Sequence, residues 1–106
     1  MSAFVTLDGA TAVGAGEYRQ LPIATAHYTL AATLTGEPTN CVLVLEGSHD
    51  GYAWYPIGTL QMALVGGIMT TPPTAHLFNW IRANLTQLDG GTNPAVTASI
   101  AYAVGA

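Results

Sequence analysis

Two short stretches hold the side chains best suited to binding a ligand. The first runs from the Asp50-Gly51 pair to Tyr55, the second runs from Phe78 to Arg82, and their aromatic residues are Tyr52, Trp54, Tyr55, Phe78 and Trp80. Aromatic rings on the face of a β-sheet stack on sugar rings or anchor a protein partner. The chemistry that this pattern offers is therefore recognition rather than reaction.

Each of these side chains also has a purely structural interpretation. We expect Trp54 to pack in the core behind the Asp50-Gly51 turn, with stacking on a ligand as the alternative. Trp80 shares a predicted strand face with Arg82, so it makes either an interface contact or a contact that crosses between strands. Arg82 is expected to pair with a carboxylate such as Glu46 or Asp50, because a half-buried guanidinium needs its charge and its donors satisfied.

The sequence lacks the patterns of catalytic and metal-binding sites. His27, His49 and His76 have no His, Cys, Asp or Glu partner at a recognised zinc spacing, so we expect them in turns or at the surface. No serine lies in a nucleophile elbow, and Gly14-Ala15-Gly16 lacks the lysine and the helix of a phosphate loop. We therefore predict no catalytic residue, no cofactor, no metal and no enzymatic activity.

The composition of this 106-residue chain argues against several classes of partner. Lysine is absent and the two basic residues are Arg19 and Arg82, too few to neutralise the phosphates of a nucleic acid. No apolar run approaches the roughly 18–20 residues that cross a bilayer, and no secretory signal is visible, which predicts synthesis in a cytoplasm. So weakly charged a surface gives little protection against association, which predicts a homo-oligomer or contacts with neighbouring subunits.

Every periodic segment of the chain alternates with a period of two, as β-strands do. Residues 28–34 and 96–104 alternate apolar with small or polar side chains. Residues 42–45 are apolar on both faces, which indicates a central strand, and we expect the adjacent Cys41 to be buried and unreactive. Residues 77–86 place Leu77, Ile81, Ala83 and Leu85 on one face, opposite Phe78, Trp80 and Arg82.

Turn-forming residues cut the chain into about eight short strands. An Asp-Gly pair between β-forming runs is a strong hairpin signal, because Gly51 supplies the positive φ that a tight turn needs. The other turns are Gly36 to Asn40, Gly66-Gly67, Thr71 to Thr74 and Asp89 to Pro94. This spacing predicts an all-β fold with one antiparallel β-sandwich over residues 1–106, jelly-roll or immunoglobulin-like, in which residues 1–10 are a candidate N-terminal arm.

Two sequence patterns resemble known families. The segment Gly47-Ser48-His49-Asp50-Gly51-Tyr52-Ala53-Trp54, followed by Trp80-Ile81-Arg82-Ala83, resembles a hairpin and a later strand of discoidin-like β-sandwich domains. Extended by Asn84-Leu85-Thr86 and Gly90-Gly91-Thr92, the pattern is similar to small virion proteins of tailed bacteriophages. This second resemblance covers about the last two-thirds of the chain.

The resemblance to virion proteins implies a non-enzymatic structural role in a phage particle. The expected function is that of a capsid decoration protein, located in the virion, which stabilises the shell by bridging subunits of the major capsid protein. The alternatives are a tail or baseplate component, and a carbohydrate-binding module in which Tyr52, Trp54 and Trp80 stack on the glycan. The predicted interface residues are Phe4, Tyr52, Trp80 and Arg82, and the predicted structural turn is Asp50, Gly51 and Trp54.

The N-terminal segment is predicted to take part in the same contacts. The predicted short strands include Ala3 to Leu7, within the segment from Ser2 to Leu7. An edge strand can be added to the sheet of a neighbouring subunit through its free backbone groups. We therefore expect this segment to contribute to attachment rather than to the core.

Overall fold

The protein folds into antiparallel β-strands. A computed structural model describes residues 2–25, 28–70 and 78–102. Its strands are β1 (Ser2–Ala10), β2 (Gly14–Ala15), β3 (Arg19–Thr25), β4 (Tyr28–Thr35), β5 (Asn40–Ser48), β6 (Tyr55–Met62), β7 (Gly66–Thr70), β8 (Phe78–Asp89) and β9 (Ala95–Tyr102). Within these ranges there is no helix that could span a membrane. The all-β prediction is confirmed.

The strands form two sheets whose connectivity is that of a jelly roll. The first sheet has the order β1-β9-β4-β7, and the second has the order β2-β8-β5-β6, with β3 also paired to β8. Strands β2 and β3 follow one another along the same partner, so together they act as one interrupted strand. Counted this way, eight strands pair as first with last, second with seventh, third with sixth and fourth with fifth, which is jelly-roll pairing.

Alternating burial follows the sequence pattern closely. Leu30 of β4 and Ile100 of β9 are fully buried, and they are direct cross-strand partners in the first sheet. In β5 the side chains of Leu43 and Leu45 face the core, while β8 and β6 flank the strand on both sides. The prediction of a central strand is confirmed, and so is the burial of Cys41, which raises the pKa of its thiol.

The N-terminal segment is part of the sandwich, which corrects the prediction of an arm. Strand β1 pairs with β9 from Ser2 to Ala10, and Phe4 and Leu7 lie in the hydrophobic core. A bulge between Val5 and Leu7 shifts the alternation, so that Thr6 and Leu7 both point inward. Phe4 is only 6% exposed and is therefore a core residue rather than an interface residue.

Some sequence predictions concern residues outside the described ranges. They are the surface positions of His27 and His76, the turn at Thr71 to Thr74, the place of Leu77 on its strand face, and the end of the last strand beyond Tyr102. Three other predicted turns lie between strands, at residues 36–39, 49–54 and 90–94. The turn predicted at Gly66-Gly67 is wrong, because both glycines belong to β7 and pair with β4, and the chain turns at residues 63–65 instead.

Candidate ligand-binding groove

Three aromatic rings come together on the outer face of the second sheet. The ring centroid of Tyr18 lies 5.4 Å from that of Trp80 and 6.0 Å from that of Trp54, with tilted planes in both pairs. Tyr18 belongs to the link between β2 and β3, Trp54 directly precedes β6, and Trp80 is in β8. The cluster therefore joins three segments that are distant in sequence, and offset aromatic pairs of this kind stabilise such a junction.

Arg82 is held between this cluster and an acidic neighbour. Its Nε donates to Glu46 Oε1 at 2.8 Å, and its guanidinium carbon lies 4.1 Å from the ring centroid of Trp54. Arg82 and Glu46 are direct partners across β8 and β5, so the sheet register itself brings them together. The predicted pairing with a carboxylate is confirmed for Glu46. Among the described residues, none accepts a hydrogen bond from the two Nη atoms.

The loop from His49 to Trp54 closes one side of the cluster. Asp50 Oδ1 accepts hydrogen bonds from the backbone N–H of Tyr52 at 2.8 Å and of Ala53 at 3.0 Å. The Ser48 hydroxyl donates to the same oxygen and accepts from the backbone N–H of Gly51 at 2.9 Å. The N–H groups of Ala53 and Tyr52, followed by the Ser48 hydroxyl, hold the pKa of the Asp50 carboxyl below its ordinary value.

Gly51 confirms the prediction of a turn that needs a positive φ. Its φ is +81°, and a Cβ placed there would lie 3.4 Å from the indole atoms of Trp80. The hairpin thus reverses the chain where the sequence indicates, and Gly47 of β5 pairs with Tyr55 of β6. The backbone of the loop rests directly on the Trp80 ring and fixes its position.

The opposite side of the cluster is formed where β2 and β3 interrupt their pairing with β8. Ala15 pairs with Asn84 and Arg19 pairs with Ile81, and between these pairs the N–H of Gly16 still donates to the Ala83 carbonyl at 2.8 Å before the regular pairing is interrupted. Thr6 fills the gap from the first sheet, because its hydroxyl accepts from the backbone N–H of Ala83 at 3.1 Å and donates to the carbonyl oxygen of Glu17 at 2.7 Å. A Cβ on Gly16 would collide with the backbone of Thr6.

A groove of about 470 Å³ lies between these two sides, which we call the aromatic groove. Its lining residues are Gly16, Glu17, Tyr18, Gly51, Trp54 and Arg82. Its volume falls within the range of roughly 300–1,000 Å³ typical of small-molecule sites. Arg82 is paired with Glu46 and Glu17 also lines the groove, so acidic residues outnumber basic ones at this site by two to one.

The positions of three aromatic residues differ from those expected from the sequence. Trp54 is half-buried on Arg82 and does not belong to the core, because the guanidinium and Tyr18 cover it from the outside. Phe78 is buried and stacks on His49 at 5.1 Å, away from the cluster. Tyr52 is 90% exposed and does not line the groove.

Tyr18 is the groove residue that the sequence analysis missed. It lies two positions after the Gly14-Ala15-Gly16 segment. An aromatic side chain close to a glycine-rich segment is the one local signal that marks it. In the described ranges, no three His, Cys, Asp or Glu side chains come together as metal ligands would.

The outer face of the first sheet differs sharply from the groove. In β1, β4, β7 and β9, Asp8 is the single charged residue. One row of side chains crosses all four strands through direct pairing of Val5 with Ser99, Ser99 with Ala31, and Ala31 with Ile68. We call this surface the uncharged face, and its residues are Ala3, Val5, Thr29, Ala31, Thr33, Ile68, Thr97, Ser99 and Ala101.

Comparison with known proteins yields similarities of fold. Solved structures that resemble this one include the SPBc2 prophage-derived protein YomS, with 12% sequence identity and a TM-score of 0.59, and PirA, with 11% identity and a TM-score of 0.53. Each alignment covers 96% of this chain and 92% of the other. No protein-family model and no curated protein matches the sequence. The two structures support the β-sandwich architecture.

Proposed function

We propose that this chain is a non-enzymatic structural protein of a bacteriophage particle, specifically a decoration protein that attaches to the capsid through the uncharged face. The observation that carries the proposal is the composition of that face, where small and β-branched side chains cross four strands. Depletion of charge is the compositional mark of the buried centre of protein interfaces. A flat sheet surface of Ala, Ser, Thr and Val allows close approach of a partner backbone.

The likeness to known structures supports a phage origin. YomS is described as prophage-derived, and its alignment extends over almost the whole of both chains. Jelly rolls are a recurrent architecture of viral capsid domains. The sequence pattern around Asp50-Gly51 and Arg82 resembles that of small virion proteins of tailed phages. These three arguments are independent of the charge distribution and agree with it.

Attachment of a decoration protein to a capsid depends on many weak contacts that act together. A single contact through small side chains is weak, but many copies on a symmetric shell bind with avidity. We propose the major capsid protein as the partner, the virion as the location, and contacts between copies along β7, where Ile68 and the preceding turn residue Val65 are exposed apolar residues. No described strand pairs with the outer edge of β7, which leaves its backbone groups available to a neighbour.

Both basic side chains are already engaged, so nucleic acid is not a proposed partner. The guanidinium carbon of Arg19 lies 4.6 Å from the ring centroid of Phe4, and Arg82 is paired with Glu46. Binding to phosphates gains its free energy from several unpaired cations at once.

The test compares two variants with the same chemical change on opposite faces. Thr33 is exposed in the uncharged face, and Thr59 is exposed in β6 of the second sheet. Phage particles assembled without the protein are mixed with wild type, Thr33→Glu or Thr59→Glu, sedimented, and imaged by electron microscopy. We expect density on the capsid for wild type and Thr59→Glu, and its loss for Thr33→Glu.

Each other result has a defined meaning. Density on the tail or baseplate instead of the shell would replace the decoration role with that of a tail component. Particles without bound protein would overturn the proposal. Equal binding by Thr33→Glu and wild type would remove the uncharged face from the interface.

A further inference from the structure

We infer that the aromatic groove is a binding site for a neutral saccharide. The inference rests on the geometry of the second sheet and does not depend on the proposed attachment through the first. Three features carry it: the exposed ring of Tyr18, a positioned guanidinium whose Nη atoms have no acceptor among the described residues, and the sign of the local charge.

Tyr18 provides the aromatic platform, and Trp54 supports it from the groove wall. Tyr18 is 54% exposed although it contacts two other rings, and Trp54 is half-buried in the groove wall. Apolar faces of sugar rings pack on aromatic side chains because both surfaces lose contact with water. The contacts with Trp54 and Trp80 restrict the Tyr18 side chain before a ligand binds, so binding costs less conformational entropy.

Arg82 supplies hydrogen bonds of defined direction. Its Nε bond to Glu46 and its contact with the Trp54 ring fix the plane of the guanidinium in the groove wall. The two Nη atoms have no acceptor among the described residues, and a forked pair of donors suits two adjacent hydroxyl oxygens. Glu17, which also lines the groove and is exposed, has a carboxylate that can accept hydroxyl hydrogens. Hydroxyl groups satisfy both, since they donate and accept.

Charge selects a neutral ligand over an acidic or a cationic one. Glu17 and Glu46 outnumber Arg82, so a carboxylated or sulfated sugar would be repelled. Aromatic cages also bind quaternary ammonium groups, but here Arg82 already occupies the cation position over Trp54. With acidic and cationic ligands excluded, the ligand that fits the groove is a neutral polyol with one apolar ring face.

The experiment uses a glycan array that contains neutral, sialylated and sulfated oligosaccharides, followed by titration of the bound neutral glycans with tryptophan fluorescence as the signal. Tyr18→Ala removes the platform, and Tyr55→Ala is its matched control, because Tyr55 is 52% exposed and lies outside the groove. Circular dichroism verifies that both variants keep the β-sheet fold. We expect wild type and Tyr55→Ala to bind the same neutral glycans, and Tyr18→Ala to bind them about tenfold more weakly.

A second variant tests the charge argument. Glu17→Gln keeps the hydrogen-bonding capacity of the side chain and removes its charge, so we expect it to retain neutral glycans and to gain weak binding of acidic ones. The inference is overturned if wild type binds no neutral glycan, if it prefers acidic glycans, or if Tyr18→Ala binds as tightly as Tyr55→Ala. Attachment to particles is measured separately, so failure here leaves the proposed decoration role to its own test.

Discussion

The hydroxyl of Thr6 donates a hydrogen bond of 2.7 Å to the backbone carbonyl of Glu17, which connects a bulge in the first sheet to the wall of a groove on the second. The same oxygen accepts the N–H of Ala83, the group left without a strand partner where β2 and β3 separate. The buried Thr6 hydroxyl therefore provides hydrogen-bond partners for two backbone groups at the interruption between β2 and β3, beside the aromatic groove. The hydrogen bonds of Thr6 therefore contribute to the stability of the sandwich and to the position of Tyr18, which follows Glu17.

Thr6→Val should lower the free energy of unfolding by about 1–3 kcal/mol, because it leaves the buried N–H of Ala83 without an acceptor. Urea denaturation followed by circular dichroism measures this loss. Thr33→Val is the control: Thr33 is exposed in β4, and we expect a change within about 0.5 kcal/mol. Equal stability of the two variants would show that Thr6 does not support the groove wall.

Phe4→Ala should destabilise the sandwich by about 3–5 kcal/mol, the usual range for truncating a buried phenylalanine. Phe4 is 6% exposed on the inner side of β1, whereas its neighbour Val5 is 49% exposed on the outer side. Val5→Ala should therefore cost under about 1 kcal/mol, as substitutions at exposed sites usually do. Thermal unfolding of both variants shows whether residues 2–10 are a core strand or an arm. In an arm, Phe4→Ala and Val5→Ala would both have little effect on stability.

Much of the architecture could be predicted from the sequence because it depends on local pattern. Alternation marks the inner side of β4, β5 and β9, and the Asp50-Gly51 pair marks the reversal between β5 and β6. The pairing of Arg82 with a carboxylate follows from the scarcity of cations and the cost of burying one unpaired. These inferences needed no knowledge of how the two sheets meet.

The groove could not be predicted in the same way, because it depends on contacts between distant segments. Thr6 and Ala83 are 77 positions apart, and the bulge that turns Thr6 inward leaves no mark in an alternating pattern. Trp54 also differs from expectation for a long-range reason, since Arg82 and Tyr18 provide a partly covered site on the outer face. A large aromatic residue near a turn is otherwise most simply placed in the core.

Gly51→Val should lower stability by about 1–3 kcal/mol, because a β-branched residue is strained at a φ of +81° and its side chain would press on Trp80. Ala53→Val, in the same loop but with an exposed side chain, should have little effect. The comparison is made by urea denaturation at pH 7. A result in which Ala53→Val is the more damaging change would contradict the turn geometry.

Stability should fall in acid partly through Asp50. Hydrogen bonds from the loop lower its folded-state pKa below the ordinary 3.8, so their contribution is complete above that value and is lost as pH falls through the folded-state pKa. Asp50→Asn does not titrate, so the stability advantage of wild type over this variant should shrink between pH 5 and pH 3. Asp8→Asn serves as the control for removal of a charge, because Asp8 is an exposed aspartate in β1, outside this loop. A gap that stays constant over this pH range would contradict the role of the Asp50 bonds.

Attachment of the protein to phage capsids should depend little on salt. The four strands of the uncharged face contain one charged residue, Asp8, and both arginines belong to the second sheet. Salt weakens interactions between exposed charges, which at 0.15 M are already screened beyond about 8 Å, but it does not weaken apolar burial or backbone hydrogen bonds. Decorated particles washed at about 0.05, 0.15 and 1 M NaCl should therefore retain the same amount of protein, measured by gel densitometry against the major capsid protein. Complete release at the highest salt would show that attachment is electrostatic and that another surface carries it.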